Sequence, residues 1–411
     1  TPVVPDMPGK NLPGVFCMRT PDDAITLLNY VKSNQCRSAA VVGAGFIGLE
    51  VAENLMAEGV SVTVVDAASQ IMPNAFDPEM ADYAKRKLKD AGLRIVTGSR
   101  IVSVSGDAKA TGIVTDNGAI PADVVVLAIG IRPATAFLEG TGIETVKGAV
   151  VTDPYMQTNL PDIYAVGDCA MVHNRITGKP QWSAMGSTAN IAARAMAKHM
   201  MGGNDTYGGC FGTGVVKLLP QLNAGRTGLT ETQAKAEGFE PVSVVCVTDD
   251  KAHYYPGSSF FITKLIADKQ SHQLLGIQVI GAGAVDKMVD IAVTGLAAKM
   301  ALEDFDTLDY AYAPPFSTAI HPFVQACYIL ENKLAGELES MTPAEYAAGA
   351  AKGYKVIDAL PTQTIPGAKW MEHAKVNGPV EGLAQDEKLL LVCARGKRGY
   401  FLQNRLKAAG Y

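Results

Sequence analysis

Ser38-Ala39-Ala40-Val41-Val42-Gly43-Ala44-Gly45-Phe46-Ile47-Gly48-Leu49-Glu50 decides how the chain is read. A short apolar run enters a G-x-G-x-x-G at Gly43, Gly45 and Gly48, and a helical pattern follows through Leu55. A second strand-like run, Val60 to Asp66, ends in an acid 18 residues past Gly48. Strand, turn, helix, strand and acid in that order make a dinucleotide-binding fingerprint. Gly43 permits the tight turn, Gly45 lets backbone approach a pyrophosphate, and Gly48 lets helix and strand pack closely. The pyrophosphate rests on the first N–H groups of the helix, where the dipole favours negative charge. Asp66 is placed to accept both hydroxyls of an adenosine ribose. Ala67, Ala68 and Ser69 offer no cation to a 2′-phosphate, so the pattern favours NADH over NADPH.

At 411 residues the chain exceeds what one core holds, about 250–300 residues. A net charge of −5 gives no reason to expect nucleic acid or an anionic membrane surface as partner. No apolar run approaches the roughly 18 residues of a membrane helix. Seven scattered cysteines, with no C-x-x-C and no metal-ligand spacing, predict neither a zinc site nor a disulfide framework. They suit a reducing, cytoplasmic setting.

Outward from the glycine turn, the proline-rich 1–13 reads as an extended connection, and Thr20-Pro21-Asp22-Asp23 starts a helix running to about Val31. Beyond Asp66 the pattern predicts a helix near Asp77–Ala91, a third parallel strand at Leu93–Thr97, and a hairpin turning at Asn117-Gly118. Asp123–Gly130 reads as a buried strand whose end, Gly130, lies beside the cofactor. Thr158–Asp168 reads as a short strand delivering Gly167 and Asp168, with a small-residue helix from Ser187 to Met200. Gly214–Leu219, Val242–Thr248, Phe260–Asp268 and Leu274–Ile280 are expected strands, followed by a helix over Ala284–Met300, an α+β module. Two aromatic clusters, His253-Tyr254-Tyr255-Pro256-Gly257 and Tyr310-Ala311-Tyr312-Ala313-Pro314-Pro315, read equally as braced loops or as platforms for an adenine or a partner chain.

Near the C-terminus, Lys388–Cys393 reads as a strand ending on a thiol, with Ala394-Arg395-Gly396-Lys397-Arg398 and a helix to Ala409 behind it. A cysteine between a strand and a helix N-terminus, with Arg395, Lys397 and Arg398 near, is placed to act as a thiolate nucleophile. Gly396 lets the loop curl so that its N–H groups converge on one anion. A protein-tyrosine-type phosphatase carries its arginine one position further along than Arg398 stands from Cys393. The smaller ring here suits a sulfane sulfur, so sulfur transfer is preferred to phosphate chemistry.

Together Val41–Glu50, Asp66, Leu127–Pro133 and Thr158–Asp168 resemble the pyridine nucleotide-disulfide oxidoreductases, in particular the single-cysteine branch of coenzyme A-disulfide reductases and NADH oxidases. Residues 340–411 resemble a rhodanese domain, on Ile365–Ala368 and Cys393–Arg398. The resemblance implies an α/β protein with Rossmann-like FAD- and NAD(P)-binding domains, an α+β dimerisation domain and a partial rhodanese-like domain. The implied boundaries are 1–37 and 134–207 for the FAD-binding domain, 38–133 for the NAD(H)-binding domain, 208–335 for dimerisation and 340–411 for the tail. It implies that Gly43, Gly45, Gly48 and Asp66 hold NADH with Gly130 near the nicotinamide, and that Gly167 and Asp168 serve FAD, Asp168 accepting from the ribitol. Tyr254, Tyr255 and Tyr312 then face the active site of the partner in a homodimer, and Cys393, with Arg398, carries a persulfide.

The implied activity is NAD(P)H-dependent reduction of coenzyme A disulfide, coenzyme A persulfide or polysulfide, joined to rhodanese-type sulfur transfer. A water-forming NADH oxidase, or a sulfur carrier on a non-catalytic flavoprotein scaffold, are the alternatives. Two departures stand beside this. The family's first glycine motif and its redox cysteine have no counterpart before Gly43, and the tail stops at Tyr411, short of a rhodanese's last strand and helix, so the chain is expected to be a fragment. His321-Pro322, which resembles the acid/base His-Pro of larger disulfide reductases, reads instead as an interface histidine.

Overall fold

The computed structural model describes residues 1–411, which divide into two compact units, Thr1–Gly228 and Leu229–Tyr411. The first unit is built on β1 (Val15–Cys17), α1 (Pro21–Ser33), β2 (Ser38–Val42), α2 (Phe46–Ala57), β3 (Ser61–Asp66), α3 (Pro78–Asp90) and β4 (Arg94–Thr97). A three-stranded antiparallel sheet, β5 (Ile101–Ser105), β6 (Gly112–Thr115) and β7 (Gly118–Pro121), carries the expected hairpin, turning one residue earlier, at Asp116-Asn117, with Gly118 already in β7. The chain then returns as β8 (Val124–Leu127), and the parallel sheet runs β1-β8-β2-β3-β4. Val41, Val64, Val124, Val125 and Val126 are fully buried, the β-branched signature of strands covered on both faces.

Local chemistry accounts for the ends of these elements. Thr20 caps α1 in a capping box with Asp23, and Pro21 takes the first turn. On α3, Met80, Ala81, Ala84 and Leu88 form the buried stripe, while the lysines of the last turn face the negative pole of the helix. β8 starts one residue later than expected because Asp123 is spent as a clasp: its Oδ2 accepts from the Arg37 and Ser38 N–H groups and from Ser38 Oγ. The segment beyond β8 carries two short pairs, β9 (Thr145–Val146) with β10 (Ala149–Val150) and β11 (Met171–His173) with β12 (Pro180–Trp182), then α4 (Gly186–Met200).

The expected strand at Thr158–Asp168 does not form. Only an isolated bridge, Gln157 to Tyr164, and a 3-10 turn at Gly167–Cys169 occur there. Side chains take the ladder's place: Asn159 Oδ1 accepts from Glu144 N, Asn159 Nδ2 donates to Gly142 O, and Thr158 Oγ1 accepts from Leu160 N. Asp162, at φ +60°, turns the chain sharply. The unit ends in the hairpin β13 (Gly214–Leu219) and β14 (Leu222–Gly228), the second of which is too rich in Gly and Asn to read as a strand.

In the second unit, α5 (Glu231–Ala236) precedes an antiparallel meander of β15 (Pro241–Asp249), β16 (Phe260–Asp268) and β17 (Leu274–Gly281), covered by α6 (Val285–Ala298) and α7 (Pro322–Leu334). Lys264, in the middle of β16, is buried, and its ammonium pairs with Glu231 at 2.9 Å. Burial acts to raise the Glu231 pKa, but Lys235, Lys264 and Ser243 outweigh it and bring the carboxyl down to about 2. After α8 (Pro343–Ala347), the C-terminal part is a small parallel sheet, β19 (Lys369–Trp370), β18 (Lys355–Asp358) and β20 (Leu389–Val392), backed by α9 (Lys397–Ala408). Its core joins Ile357, Ala359, Met371, Leu402 and Leu406. No helix is long and apolar enough to cross a membrane.

Candidate functional site: two glycine turns and a cysteine loop

The turn between β2 and α2 gives its three glycines three different surroundings. Gly43 sits at φ +109°, and a Cβ there would lie 2.2 Å from Ala128 O, at the end of the neighbouring β8. A Cβ on Gly48 would lie 1.9 Å from Gly43 O, so the helix rests directly on the turn. Gly45 is the reverse case: a Cβ there would meet nothing within 4 Å. It is the N-cap of α2 and supplies no side-chain cap, so the first N–H groups of the helix face open space. Two glycines therefore serve packing, and the third leaves a bare, positively polarised helix start that fits a diphosphate.

Asp66 stands at the tip of β3. Its Oδ2 accepts from Ala44 N at 2.6 Å and its Oδ1 from Ala68 N at 2.7 Å. One carboxylate thus pins the glycine turn and the segment after β3 together, and each oxygen keeps a lone pair for a hydroxyl. Gly130, at φ +123°, follows the end of β8 with open space around it.

A second turn lies at Gly167–Asp168–Cys169. Gly167 takes φ +79°, and a Cβ there would touch Ala189 at 3.7 Å, in the first turns of α4. The N-cap of α4, Met185, also leaves its helix without a side-chain cap. The Asp168 carbonyl accepts from Trp182 Nε1 at 2.8 Å, while the Asp168 carboxylate pairs with Arg19. Arg19 was not legible as a site residue, because it lies far away in sequence and belongs to no motif. A glycine-turned acid beside a bare helix start fits the flavin-facing role expected of Gly167 and Asp168.

In the second unit the tyrosines expected at a substrate are accessible: Tyr254 is 68 %, Tyr255 38 % and Tyr312 52 % exposed. Tyr254 and Tyr255 ride on the loop between β15 and β16, which is firmly laced. Ser258 Oγ donates to His253 O, Ser259 N to Asp250 Oδ1, and Tyr255 N to Ala252 O. His321 is buried at the start of α7, where its Nδ1 accepts from Phe323 N and its ring stacks on Tyr310. Burial, with Lys287 in support, pushes its pKa down to about 4. It lines a cavity of about 150 Å³ with Asp250, Lys251, Phe261 and Lys287.

Cys393 follows β20 and lies over the start of α9, where Gly399 N donates to its Sγ at 3.3 Å. The three cations predicted to crowd this thiol part company. Arg395 Nη1 donates to Asp249 Oδ1 at 2.7 Å, and Lys397 lies over the Phe401 ring. Only Arg398 stays exposed and unpaired. The long side chains of Arg395 and Lys397 find partners outside the loop, and the donor that reaches the sulfur is the Gly399 N–H. Asp358, at the end of the adjacent β18, organises the neighbouring turn. Burial acts to raise its pKa, but the N–H groups of Ile365, Thr364 and Leu360 outweigh it and hold the carboxyl low.

Residues 1–194 match the family of pyridine nucleotide-disulphide oxidoreductases, and residues 218–323 match the dimerisation domain of that family. A CoA-dependent NAD(P)H sulfur oxidoreductase of Pyrococcus furiosus is 31 % identical over 332 residues, 80 % of this chain and 74 % of that protein. The chain belongs to the pyridine nucleotide-disulphide oxidoreductase family. Members depend on FAD and NAD(P)H, and coenzyme A is the substrate of the family's coenzyme A disulfide reductases. Two solved structures of similar shape cover the whole chain at a TM-score of 0.93. One is a NAD-dependent persulfide reductase from A. fulgidus, 30 % identical and 76 % covered, and the other is reduced Bacillus anthracis CoADR-RHD, 29 % identical and 75 % covered.

Proposed function

We propose that this chain reduces coenzyme A disulfide, coenzyme A persulfide or polysulfide at the expense of NAD(P)H, and that its C-terminal part carries sulfane sulfur on Cys393. The observation that carries the reading is the open Gly45 helix start at the end of β2, in a parallel sheet whose central valines are fully buried, on a chain whose family is FAD- and NAD(P)H-dependent. FAD, when bound, passes electrons from the nicotinamide to a disulfide or persulfide. The helix start at Gly45, which the packing of Gly43 and Gly48 shapes, receives the diphosphate of NADH, Asp66 orients its ribose, and Gly130 leaves room at the nicotinamide end. Gly167 and Asp168 orient the flavin, with Arg19 holding the Asp168 carboxylate in place. Tyr254, Tyr255 and Tyr312 present phenol groups to substrate across a homodimer.

The sulfur-carrier part is favoured by the cysteine loop itself, and by the likeness to CoADR-RHD, which extends over 324–411, beyond the family-model matches. Gly399 N and the start of α9 stabilise negative charge on Cys393 or on a terminal sulfur attached to it. Arg398, free of other partners, supplies the one mobile cation. The test is NADH oxidation by the complete protein with coenzyme A disulfide or polysulfide. Stimulation by either supports the reading, whereas turnover driven only by oxygen makes the protein an NADH oxidase. Mass spectrometry after thiosulfate should show one added sulfur on Cys393, lost in Cys393→Ser, and a wild type that gains no sulfur removes the carrier role.

A further inference from the structure

Arg395 lies between Cys393 and α9, yet its head group leaves the cysteine loop altogether. Its Nη1 donates to Asp249, the last residue of β15, and its guanidinium stands over the ring of Phe260, the first residue of β16, 5.6 Å from the centroid. Asp249 and Phe260 are partners in register, the final rung of the ladder before the chain departs into the loop that carries Tyr254 and Tyr255. One side chain therefore bridges both hinges of the tyrosine loop and joins them to the cysteine loop. The tyrosine loop is internally laced from Asp250 to Ser259, so a clamp on its hinges fixes it as a body. The pair is half exposed, with side chains 49 % and 29 % accessible, and a contact of that kind adds too little to be required for folding. A planar guanidinium that donates to a carboxylate and lies over a ring fixes orientation better than an ammonium could.

We propose that Arg395 is a positioning residue for sulfur delivery, holding Cys393 in a fixed relation to the thiol acceptor that Tyr254 and Tyr255 attend. The inference rests on the sulfur-carrier reading of Cys393. In the first step the Cys393 thiolate attacks the sulfane sulfur of thiosulfate. The new bond is between Sγ and that sulfur, the thiosulfate S–S bond breaks, and sulfite leaves with its electron pair. In the second step the thiolate of coenzyme A attacks the terminal sulfur. The bond to Sγ breaks, Cys393 regains its thiolate, and coenzyme A leaves as the persulfide, with no net oxidation or reduction. Only the second step needs a bulky acceptor guided to the sulfur, so only that step needs the clamp.

The experiment uses the complete protein carrying Arg395→Ala, Arg395→Lys, Arg395→Asp, Asp249→Arg, or the exchange that combines the last two. Each is loaded with thiosulfate and discharged in single turnover either to cyanide, which diffuses freely, or to coenzyme A. Arg395→Ala should load and discharge to cyanide within about twofold of wild type, while discharge to coenzyme A slows by roughly ten- to a hundredfold, the scale of an ångström-level misplacement. Arg395→Lys should recover part of that loss, and the exchange pair should exceed either of its single variants. Equal rates to coenzyme A in Arg395→Ala and wild type overturn the proposal. So does a cyanide rate that falls by the same factor, because that places Arg395 in the chemistry or folding of the loop. A wild type that takes up no sulfur refutes the carrier reading, and the clamp with it. A loaded wild type with an indifferent Arg395→Ala refutes the clamp alone.

Discussion

Replacing Gly45 with alanine separates the two kinds of work done by the glycine turn. Gly45 has φ −79° and ψ −175°, extended backbone that alanine adopts without strain, and the added methyl meets no protein atom within 4 Å. On stability alone the change is neutral or gains about 0.4–1 kcal/mol, because the unfolded chain loses freedom. The same methyl projects into the space that the proposed function gives to a diphosphate against the helix start. Losing one hydrogen bond to a charged group costs about 1.5–3 kcal/mol, which weakens binding by roughly ten- to a hundredfold. Gly48→Ala is the matched control. Its methyl falls 1.9 Å from Gly43 O, and overpacking of that kind costs about 1–3 kcal/mol, or several degrees in Tm. The assay pairs NADH titration by fluorescence with thermal melts of the same preparations. Gly45→Ala should melt as wild type and bind NADH poorly, and Gly48→Ala should melt early. If Gly45→Ala binds NADH with wild-type affinity, the helix start is not the diphosphate site.

Further outcomes are expected elsewhere. Asp168→Ala should lower flavin retention, read from visible absorbance of the purified protein, with helix content unchanged because Trp182 bonds the backbone carbonyl rather than the side chain. Glu231→Gln should cost about 3–5 kcal/mol by leaving the buried Lys264 ammonium without its carboxylate, and Glu231→Leu with Lys264→Met should recover most of that in urea melts. His321 titrates near 4 in the fold against 6.5 ordinarily, so the unfolded chain takes up the proton first. The stability it protects is intact above about pH 6.5 and falls as the pH drops towards 4, by at most about 3 kcal/mol. Glu331 runs the other way: burial, then Asp306 and Glu303, raise it to about 7, so the folded form holds the proton and its contribution is lost as pH rises from about 4.5 through 7. In urea melts across that range, His321→Asn should leave a protein stabilised by acid and Glu331→Gln one destabilised by it. Parallel slopes in the two variants would contradict these assignments.

The parallel sheet was legible because each of its determinants is local. An apolar run before Gly43, the Thr20 cap and the hairpin turn ahead of Gly118 all act within a few residues. The segment at Thr158–Asp168 was not, because Asn159 bonds backbone that lies 15 residues and more away and so removes a strand that composition favours. β14 was missed for the opposite reason: its partner strand, not its own residues, makes Leu222–Gly228 extended. At the candidate sites, motif positions were readable while their long-range partners were not. Arg19 beside Asp168, and Asp249 beside Arg395, stand 149 and 146 residues from the groups they hold. The three cations near Cys393 looked like one field in sequence because sequence records neighbourhood along the chain and not where a flexible side chain ends.

Asp66 carries a consequence for any attempt to change the coenzyme. Its two oxygens are tied to the amides of Ala44 and Ala68, so exchanging it for a small neutral residue would also release the turn proposed to receive the phosphates. On the proposed reading, selectivity and scaffold thus share one side chain. A variant that welcomes NADPH would need a second substitution to re-anchor those amides, and the path from one coenzyme to the other runs through a loosened intermediate rather than a simple swap of charge.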